Sequence, residues 1–434
     1  MYWALLKQGV AKWRHRLWRA TVMRSGLLTF LFLFIVLGVL AFLWREHRMG
    51  QFAQLKRELR SAPVGELEAR PGEQDVIQLQ RSQMPGGDGP EFLSATMLPG
   101  RGLNLLQIRA YLPEKGEVNL LVSPPLEEAA KLLSGTGADF TGAKSLAMGA
   151  AIELPWAGRI SGGETPDRKN VITMWRGERL LLPADVKDGY GTGGAVAAGG
   201  LLLKQRSDSV NTNVMPDGGE ARVTFRPGDF DGHWPSKTEV STTVELSGRA
   251  IDIRIVARNS GDSPEPIGIG WHPRFAVRGQ REQLRLRIPG TMRAVVSDRQ
   301  SGLPTGALLP VSGTAYDFTA RGGARLGNLD LNDCFVQLHQ ELLDNGPVAE
   351  LNDPANHYGL RLTALSSTIK AMRVDAPTGA DYVTIEPQFN YDDPFGREWG
   401  KDVDTGMVVL QPGQSTQWKV RLELVTLPGG QAPI

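Results

Sequence analysis

Two side chains that can transfer protons stand where short apolar strands are predicted to end. His272 lies in IGIGWHPRF, residues 267–275, and Glu386 lies in YVTIEPQFNYDDPF, residues 382–395. A proline follows each of them, and proline cannot donate to a strand ladder, so both positions favour a strand end. Binding residues often lie at such ends. The pair could supply a general acid and a general base near neutral pH, although each residue alone could be an ordinary structural one.

A third stretch, AIELPWAGRI at residues 151–160, puts Trp156 and Arg159 in one predicted loop. An indole face can stack on a sugar ring, and a guanidinium can donate hydrogen bonds to hydroxyl oxygens. The loop therefore predicts residues that bind a carbohydrate substrate. The alternative is a surface loop with a packing tryptophan.

The sequence has no pattern typical of a metal or nucleotide site. None of its six histidines belongs to an HExxH pair, and the single cysteine, Cys334, excludes zinc fingers, dithiol redox centres and disulfide scaffolds. Gly189, Gly191 and Gly194 match GxGxxG, but no βαβ unit surrounds them, so a glycine-rich loop is predicted. We therefore expect neither a metal nor another cofactor.

The segments that carry these residues read as short β-strands. Apolar and polar residues alternate at 251–255 and at 418–424, and Ser247 with the glycine after it is typical of a hairpin turn between two such runs. Helical signals are scarce, and the best is 124–133. Many alternating strands without intervening helices predict an all-β domain, a large antiparallel β-sandwich over 64–434.

The N-terminal region has the pattern of a membrane anchor. Residues 26–44 are uncharged and apolar, and as a helix they would span roughly 28 Å, enough to cross the hydrocarbon core. The alternative, a cleaved signal peptide, is disfavoured because the run is long and no small-residue cleavage site follows it. The first 24 residues carry six basic and no acidic side chains, which predicts a cytoplasmic N-terminus.

These features divide the chain into four parts. Residues 1–25 are a basic cytoplasmic tail, 26–44 a transmembrane signal anchor and 45–63 a charged juxtamembrane stalk. The sandwich at 64–434 then lies in the periplasm or outside the cell, and the chain is a single-pass membrane protein whose first partner is the lipid bilayer.

Charge argues against a nucleic-acid partner. Without the six basic side chains at the N-terminus, 42 basic residues stand against 47 acidic ones. Phosphate contacts need a basic surface, so a mildly acidic domain predicts no nucleic-acid binding.

Six segments, in chain order, resemble segments of the aldose 1-epimerases, a family that includes the galactose mutarotases. They are AIELPWAGRI (like PWPNRI), GIGWHPRF (like G-x-HPYF), SDRQSGLPTGALLPVSGTAYDF (like D-x-x-x-LPTG-x-x-x-PV-x-GT-x-x-DF), LNDCF at 331–335 (like YDHNF or LDDNF), TIEPQFNYDDPFG (like FEPQT-N-x-DAF) and VVLQPGQSTQWKVRLEL (like L-x-PGE). Order and approximate spacing both match, and the resemblance covers about residues 65–427.

The resemblance implies a galactose mutarotase-like β-supersandwich with a sugar cleft and without metal or nucleotide. The implied reaction opens a cyclic hemiacetal and recloses it at the other anomeric face. By resemblance Glu386 is the base and His272 the acid, held on opposite sides of one sugar ring, and Arg159 and Asp333 bind sugar hydroxyls. We expect these four side chains to face one cleft.

Two positions depart from the family pattern. The family usually carries a second histidine in an N-x-x-HG-L-L segment, and here AVAAGGLLL at 195–203 puts Gly199 at that position. Arg274 stands where the family prefers tyrosine, and it could favour an anionic sugar or point to solvent.

Two function classes follow. The first is an isomerase of the aldose 1-epimerase type that interconverts the anomers of a hexose or related sugar. The second is a carbohydrate-binding or envelope protein that keeps the cleft and has lost turnover. His272 and Glu386 favour the enzyme, whereas Gly199 favours the binding protein. A sugar-phosphate epimerase fits less well, because phosphorylated hexoses are mainly cytoplasmic.

Overall fold

The structure is a computed structural model that describes residues 34, 36–45, 69–82, 85, 88–184, 196–297 and 302–427. The chain divides into two compact units, Met1–Glu68 and Ala69–Ile434.

The described part of the first unit is helical at residues 34 and 36–45. Among the residues that the structure describes, no helix has both the length and the apolar character needed to cross a membrane. The tail at 1–25, nine of the 19 residues of the predicted anchor at 26–44 and all of the stalk at 45–63 except Arg45 lie outside the described residues, so these three assignments stay predictions.

The described residues of the second unit form strands connected by turns and one short α-helix. In chain order the strands are β1 (Ile77–Gln80), β2 (Glu91–Leu98), β3 (Asn104–Leu112), β4 (Gly116–Asn119), β5 (Ala150–Glu153), β6 (Arg159–Ser161), β7 (Gly163–Glu164), β8 (Asn170–Trp175), β9 (Glu178–Pro183), β10 (Val196–Ala198), β11 (Ser209–Met215), β12 (Gly218–Gly228), β13 (Thr238–Leu246), β14 (Ala250–Asn259), β15 (Glu265–Ile267), β16 (Gly270–Ala276), β17 (Arg285–Arg287), β18 (Gly290–Val296), β19 (Pro304–Pro310), β20 (Ala324–Arg325), β21 (Leu331–Leu338), β22 (Val348–Asp353), β23 (Tyr358–Ala364), β24 (Ala371–Ala376), β25 (Tyr382–Gln388), β26 (Val408–Leu410) and β27 (Ser415–Thr426).

The helices are few and short. Helix α1 covers Leu126–Leu132, inside the predicted helical stretch, and single 3₁₀ turns cover Pro71–Glu73, Pro99–Arg101, Gly137–Asp139, Ala143–Ala147, Arg281–Gln283, Pro354–Asn356 and Arg397–Trp399.

Two large antiparallel sheets, accompanied by the small sheets β10-β6, β15-β26 and β7-β8-β9, make up the described part of the domain. The first runs β1-β2-β3-β5-β16-β25-β24-β21-β18-β19, with β4 paired to β3, and the second runs β11-β12-β13-β14-β27-β23-β22-β17-β20. Buried apolar side chains from both sheets form one continuous core. The prediction of an all-β antiparallel sandwich is therefore confirmed.

Alternation along the strands explains why this sequence adopts this architecture. In β14, Ile251, Ile253 and Ile255 are buried while Arg254 is exposed. The amide of Ser247 donates to the carbonyl oxygen of Ala250 (2.9 Å), which closes the predicted hairpin turn between β13 and β14. A period of two places one face of each strand in the core, because successive side chains point to opposite faces of a sheet.

Candidate active site

A polar cluster lies on three adjacent central strands of the first sheet, β16, β25 and β24. Arg373 of β24 is directly opposite Glu386 of β25 in the ladder. Residues directly opposite each other project to the same face. Their neighbours Val374 and Ile385 belong to the core, so the polar side chains occupy the face that points away from it.

His272 and Glu386 are in direct contact. Nδ1 of His272 lies 2.7 Å from Oε2 of Glu386, and the two side chains are 5% and 0% exposed. The sequence comparison implied that a sugar ring would separate these groups. In the structure no ring fits between them, because the imidazole and the carboxylate share a hydrogen bond.

Arg373 connects the carboxylates of the cluster. Its Nη2 donates to Oδ1 of Asn332 (2.6 Å). Its Nη1 lies 3.8 Å from Oε2 of Glu386, and its Nε lies 3.2 Å from Oδ2 of Asp392. The guanidinium is 2% exposed. Such a buried cation offsets the charge of carboxylates that would otherwise be costly to bury.

Glu153, at the end of β5, completes the cluster. It pairs across the sheet with Gly270, which in turn pairs with Gln388 of β25. A Cβ atom at Gly270 would lie 3.1 Å from Oε1 of Glu386 and 3.2 Å from Oε2 of Glu153. The missing side chain at position 270 therefore leaves the space in which the two glutamates meet.

The two glutamates have opposite pKa shifts. Burial alone would raise the pKa of Glu386, but the adjacent Glu153 carboxyl group and the hydrogen bond with His272, together with the charges of His272 and Arg373, lower it to about 2. Burial, and after it the adjacent charge of Glu386, raise the pKa of Glu153 well above its usual range. Glu386 therefore ionises more readily than Glu153.

Hydrogen bonds join two segments that carry members of the cluster, residues 157–161 and residues 390–393. Asn390 donates to the carbonyl oxygen of Ala157 (2.9 Å) and accepts from its amide (3.1 Å). Asp393 accepts hydrogen bonds from the amide and hydroxyl of Ser161 (3.1 and 2.5 Å). Burial raises the pKa of Asp393 to about 6. Arg159, which is 2% exposed, lies between these bonds, and its charge acts on Asp392 of the cluster.

Asp333 does not lie with the cluster. It is opposite Val374, a core residue, and its Oδ1 accepts from Nη1 of Arg293 (2.6 Å). Asn332, its neighbour, is bonded to Arg373 instead. The expectation that Asp333 faces the cleft is wrong, because one step along a strand moves a side chain to the other face. When LNDCF is aligned with YDHNF, the aspartate of the family pattern corresponds to Asn332 and not to Asp333.

Trp156 is also placed differently from the expectation. Its side chain is fully buried and stacks on Trp234, with ring centroids 5.5 Å apart. A ring that stacks on a sugar needs an accessible face, so the structure supports the packing alternative for this tryptophan.

Arg274 neither joins the cluster nor extends into solvent. Its guanidinium lies over the ring of Tyr382, 3.6 Å from the centroid. This cation–π contact stabilises the guanidinium charge. An anionic sugar is therefore not needed to explain an arginine at position 274.

The backbone at Gly199 explains why a histidine is missing there. Its φ is +70°, and a Cβ atom would lie 2.9 Å from Cδ1 of Leu203 and 3.0 Å from both methyl carbons of Leu146. The left-handed conformation favours glycine, and the leucines fill the space that a larger side chain would need.

A Gly199→His variant is therefore expected to be destabilised by more than the roughly 1–2 kcal/mol that left-handed strain alone costs. Gly313→His is the matched control, because Gly313 has a φ of +72° and no atom within 4 Å of its Cβ position. Denaturant unfolding of both variants measures the difference. Equal losses of stability would show that the leucines do not crowd position 199.

The cluster has atoms of the types that bind metals. Ligand atoms of Glu153, His272 and Glu386 all lie within 4.8 Å of one another, a proximity that no sequence spacing indicated. The arrangement does not suit a cation, because Nδ1 of His272 already bonds Glu386 and the guanidinium of Arg373 lies 3.8 Å from the same carboxylate. We assign no metal to these residues.

A cavity of about 460 Å³ opens near this region. Its lining includes Gln337, Asn345, Lys370 and Tyr391. None of the cluster's proton-transferring side chains lines it, but Tyr391 directly precedes Asp392.

Sequence reasoning missed Glu153, Asn332, Arg373 and Asp392. Glu153 stands inside AIELPWAGRI and Asp392 inside YVTIEPQFNYDDPF, so the segments were identified without these members. Arg373 lies in a segment, AMRVDA, whose charged residues interrupt an apolar strand. Charged residues two positions apart in an otherwise apolar strand could have indicated Arg373 as a member of a buried polar site.

Comparison with known proteins gives one family. The sequence model of the aldose 1-epimerase family matches residues 129–423. A maltose epimerase from Levilactobacillus brevis is 26% identical over 158 residues, which are 34% of this chain and 44% of that protein. The match therefore spans less than half of that relative.

Solved structures share the fold at low identity. A galactose mutarotase-like protein from Clostridium acetobutylicum superposes with a TM-score of 0.61 at 16% identity, over 81% of this chain and 99% of that one. A galactose 1-epimerase from Lactobacillus acidophilus has a TM-score of 0.56 at 17% identity, over 82% and 99%. These values establish a galactose mutarotase-like fold.

Proposed function

The chain belongs to the aldose 1-epimerase family, and we propose that its β-sandwich interconverts the α and β anomers of a hexose or a related sugar. The observation that carries the proposal is the 2.7 Å contact between His272 and Glu386 inside a buried polar cluster. A structural role alone does not explain why a fold should bury two glutamates, a histidine and an arginine together, because buried charge is costly.

The reaction needs one proton to leave the C1 hydroxyl and one to reach the ring oxygen. In our proposal Glu386, held ionised, accepts the hydroxyl proton, and His272 donates a proton to the ring oxygen as the bond between C1 and that oxygen breaks. The open-chain aldehyde rotates about the C1–C2 bond. The C5 hydroxyl then attacks the other face of the carbonyl, returning its proton to His272 while Glu386 returns its own to C1 oxygen.

The other residues of the cluster hold the sugar and the catalytic pair in position. Arg159 and Asn332 are proposed to bind sugar hydroxyls, with Asn332 in the role first expected of Asp333. Arg373, bonded to Asn332 and close to Glu386, links the substrate side of the site to the base. Fixed positions of this kind supply much of the acceleration in such reactions.

A second candidate is a sugar-binding protein without turnover. Two observations favour it: Glu386 has no exposed surface, and leucines occupy the space beside Gly199. A base that substrate cannot reach would leave a binding site without chemistry.

Saturation-transfer NMR with the full-length protein and a panel of free hexoses separates the two candidates. Exchange between anomers faster than in buffer supports the enzyme. Unchanged exchange, together with sugar-dependent shifts of protein resonances, supports the binding protein. Neither exchange nor binding with any sugar would contradict both.

We also propose that residues 26–44 anchor the chain in the membrane and that the sandwich lies outside the cytoplasm. The basis is the apolar run and the excess of basic residues before it. A periplasm-active reporter fused after residue 434 is expected to be active, and a cytoplasm-active reporter at the same position to be inactive. The reverse result would contradict this topology.

A further inference from the structure

Glu153 and Glu386 form a buried carboxyl pair. If both are ionised, one of their oxygen atoms lacks a hydrogen-bond donor. Glu153 and Glu386 are 1% and 0% exposed, and their carboxylate oxygens lie within 4.8 Å. The amide of Gly158 donates to Oε2 of Glu153 (3.0 Å). Oε1 of Glu386, however, receives no hydrogen bond although it is buried. A buried acceptor without a donor is rare in folded proteins, so this oxygen needs an explanation.

A proton on Glu153 supplies the missing donor. Two carboxylates that share one site cannot both ionise at low cost, and one of them then keeps its proton. Glu386 is the member stabilised as an anion, because it also contacts His272 and Arg373. We propose that Glu153 is an uncharged carboxylic acid whose hydroxyl donates to Glu386, and that it acts through Glu386 as a positioning residue.

The charges around the pair agree with this assignment. The titratable groups that face it are His272 on β16, Arg373 on β24, Cys334 on β21, Arg159 on β6 and Asp392 in the following loop. The two arginines balance the negative charges of Glu386 and Asp392. A charge on Glu153 would place a second carboxylate anion beside Glu386, in a cluster whose side chains are almost fully buried.

The role in catalysis rests on the proposed function, whereas the protonation state does not. With its hydroxyl directed at Oε1, Glu153 fixes the orientation of the Glu386 carboxylate while Oε2 contacts His272. An ionised Glu153 would repel the base instead. The carboxyl pair and the proposed reaction can therefore be tested separately.

Stability as a function of pH tests the protonation state. The folded chain keeps the Glu153 proton that the unfolded chain releases above roughly pH 4.3. Stability from this group is therefore complete at low pH and is lost as pH rises toward the raised folded pKa. From pH 5 upward, the unfolding equilibrium constant of the unsubstituted protein should rise tenfold per pH unit relative to that of Glu153→Gln. This rise is a loss of about 1.4 kcal/mol per pH unit in the free energy of unfolding. Glu178→Gln, at an exposed strand position, is the control and should show no such slope.

A second measurement does not depend on the folding of the Glu153 variant. Burial raises the pKa of Glu265 to about 7, so a Glu265→Gln protein labelled with ¹³C-glutamate lacks the other glutamate, among the described residues, whose pKa is raised. Its spectrum at pH 7 should keep one protonated glutamate carboxyl resonance, and Glu386→Gln added to it should shift that resonance. Absence of a protonated resonance would overturn the proposal, as would one bound equivalent of a divalent ion in elemental analysis, because the ion would then take the place of the proton.

Catalysis gives the third readout. Glu153→Gln retains a neutral donor and should keep kcat within a few fold, whereas Glu153→Met removes the donor and should shift the acid limb of the kcat/KM profile upward. Identical pH profiles for the two variants would overturn the positioning role. If no protein accelerates anomer exchange but the resonance and the stability slope are present, the proposed function fails and the carboxyl pair stands.

Discussion

Glu386→Gln is expected to slow anomer exchange by about 10²- to 10⁴-fold, the range attributed to a single general acid or base. The amide keeps the size of the side chain and one oxygen acceptor for His272, so the fold is expected to persist. It cannot accept the C1 hydroxyl proton. Saturation-transfer NMR at saturating sugar measures the rate of anomer exchange. Far-UV circular dichroism on the same sample shows whether the fold persists.

Glu265→Gln is the matched control for that experiment. Glu265 is equally buried and accepts a hydrogen bond from Thr238 (2.7 Å), but it lies on β15, in a different sheet from Glu386. Its variant should exchange anomers at the rate of the unsubstituted protein. A Glu386→Gln protein that is as fast as this control would contradict the assignment of Glu386 as the base.

Arg373→Met is expected to cost about 3–5 kcal/mol of the free energy of unfolding at pH 7, because it leaves buried carboxylates without their cation. Glu386 and Asp392 both lose a guanidinium within 4 Å. Denaturant unfolding measures the loss. The control is Arg421→Met, whose partly exposed guanidinium pairs with Asp252 and should contribute no more than about 1 kcal/mol.

The loss in Arg373→Met also depends on pH, with a sign that the structure determines. The pKa of Glu386 is lowered in the folded state to about 2, so its contribution is present above the unfolded pKa and disappears as pH falls through the folded value. The gap between the unsubstituted protein and Arg373→Met should therefore narrow from about pH 4 downward. A gap that is constant with pH would indicate lost packing rather than lost charge.

Local patterns predicted the fold because apolar and polar residues alternate along β14 and along β27, and this alternation is visible in the sequence of each strand alone. The isoleucines of β14 are buried as the period of two requires, and Trp418 of β27 is fully buried with them. The apolar runs indicated the two strands that carry His272 and Glu386, but the expectation that each residue ends its strand is wrong, because β16 and β25 continue through the prolines that follow. These signals need no knowledge of which strand is adjacent to which.

Features that depend on long-range pairing could not be predicted. Glu153 and Glu386 are 233 residues apart in the chain, and they meet because β5 and β25 both pair with β16. The face occupied by Asp333 depends on the register of β21 against β24, which a pattern of five letters does not determine. Similarly, the burial of Trp156 depends on Trp234, a distant residue that covers its ring.

A double-mutant cycle with Glu386→Gln and His272→Asn tests the central claim, that the two residues act as one unit in sugar ring opening. The rate of anomer exchange is measured for the unsubstituted protein, both single variants and the double variant. Because the side chains are 2.7 Å apart, we expect the unsubstituted protein to be faster than buffer and the double variant to be about as slow as the slower single variant. The account would be contradicted if the unsubstituted protein exchanged anomers no faster than buffer. It would also be contradicted if the rate loss of the double variant equalled the product of the two single losses.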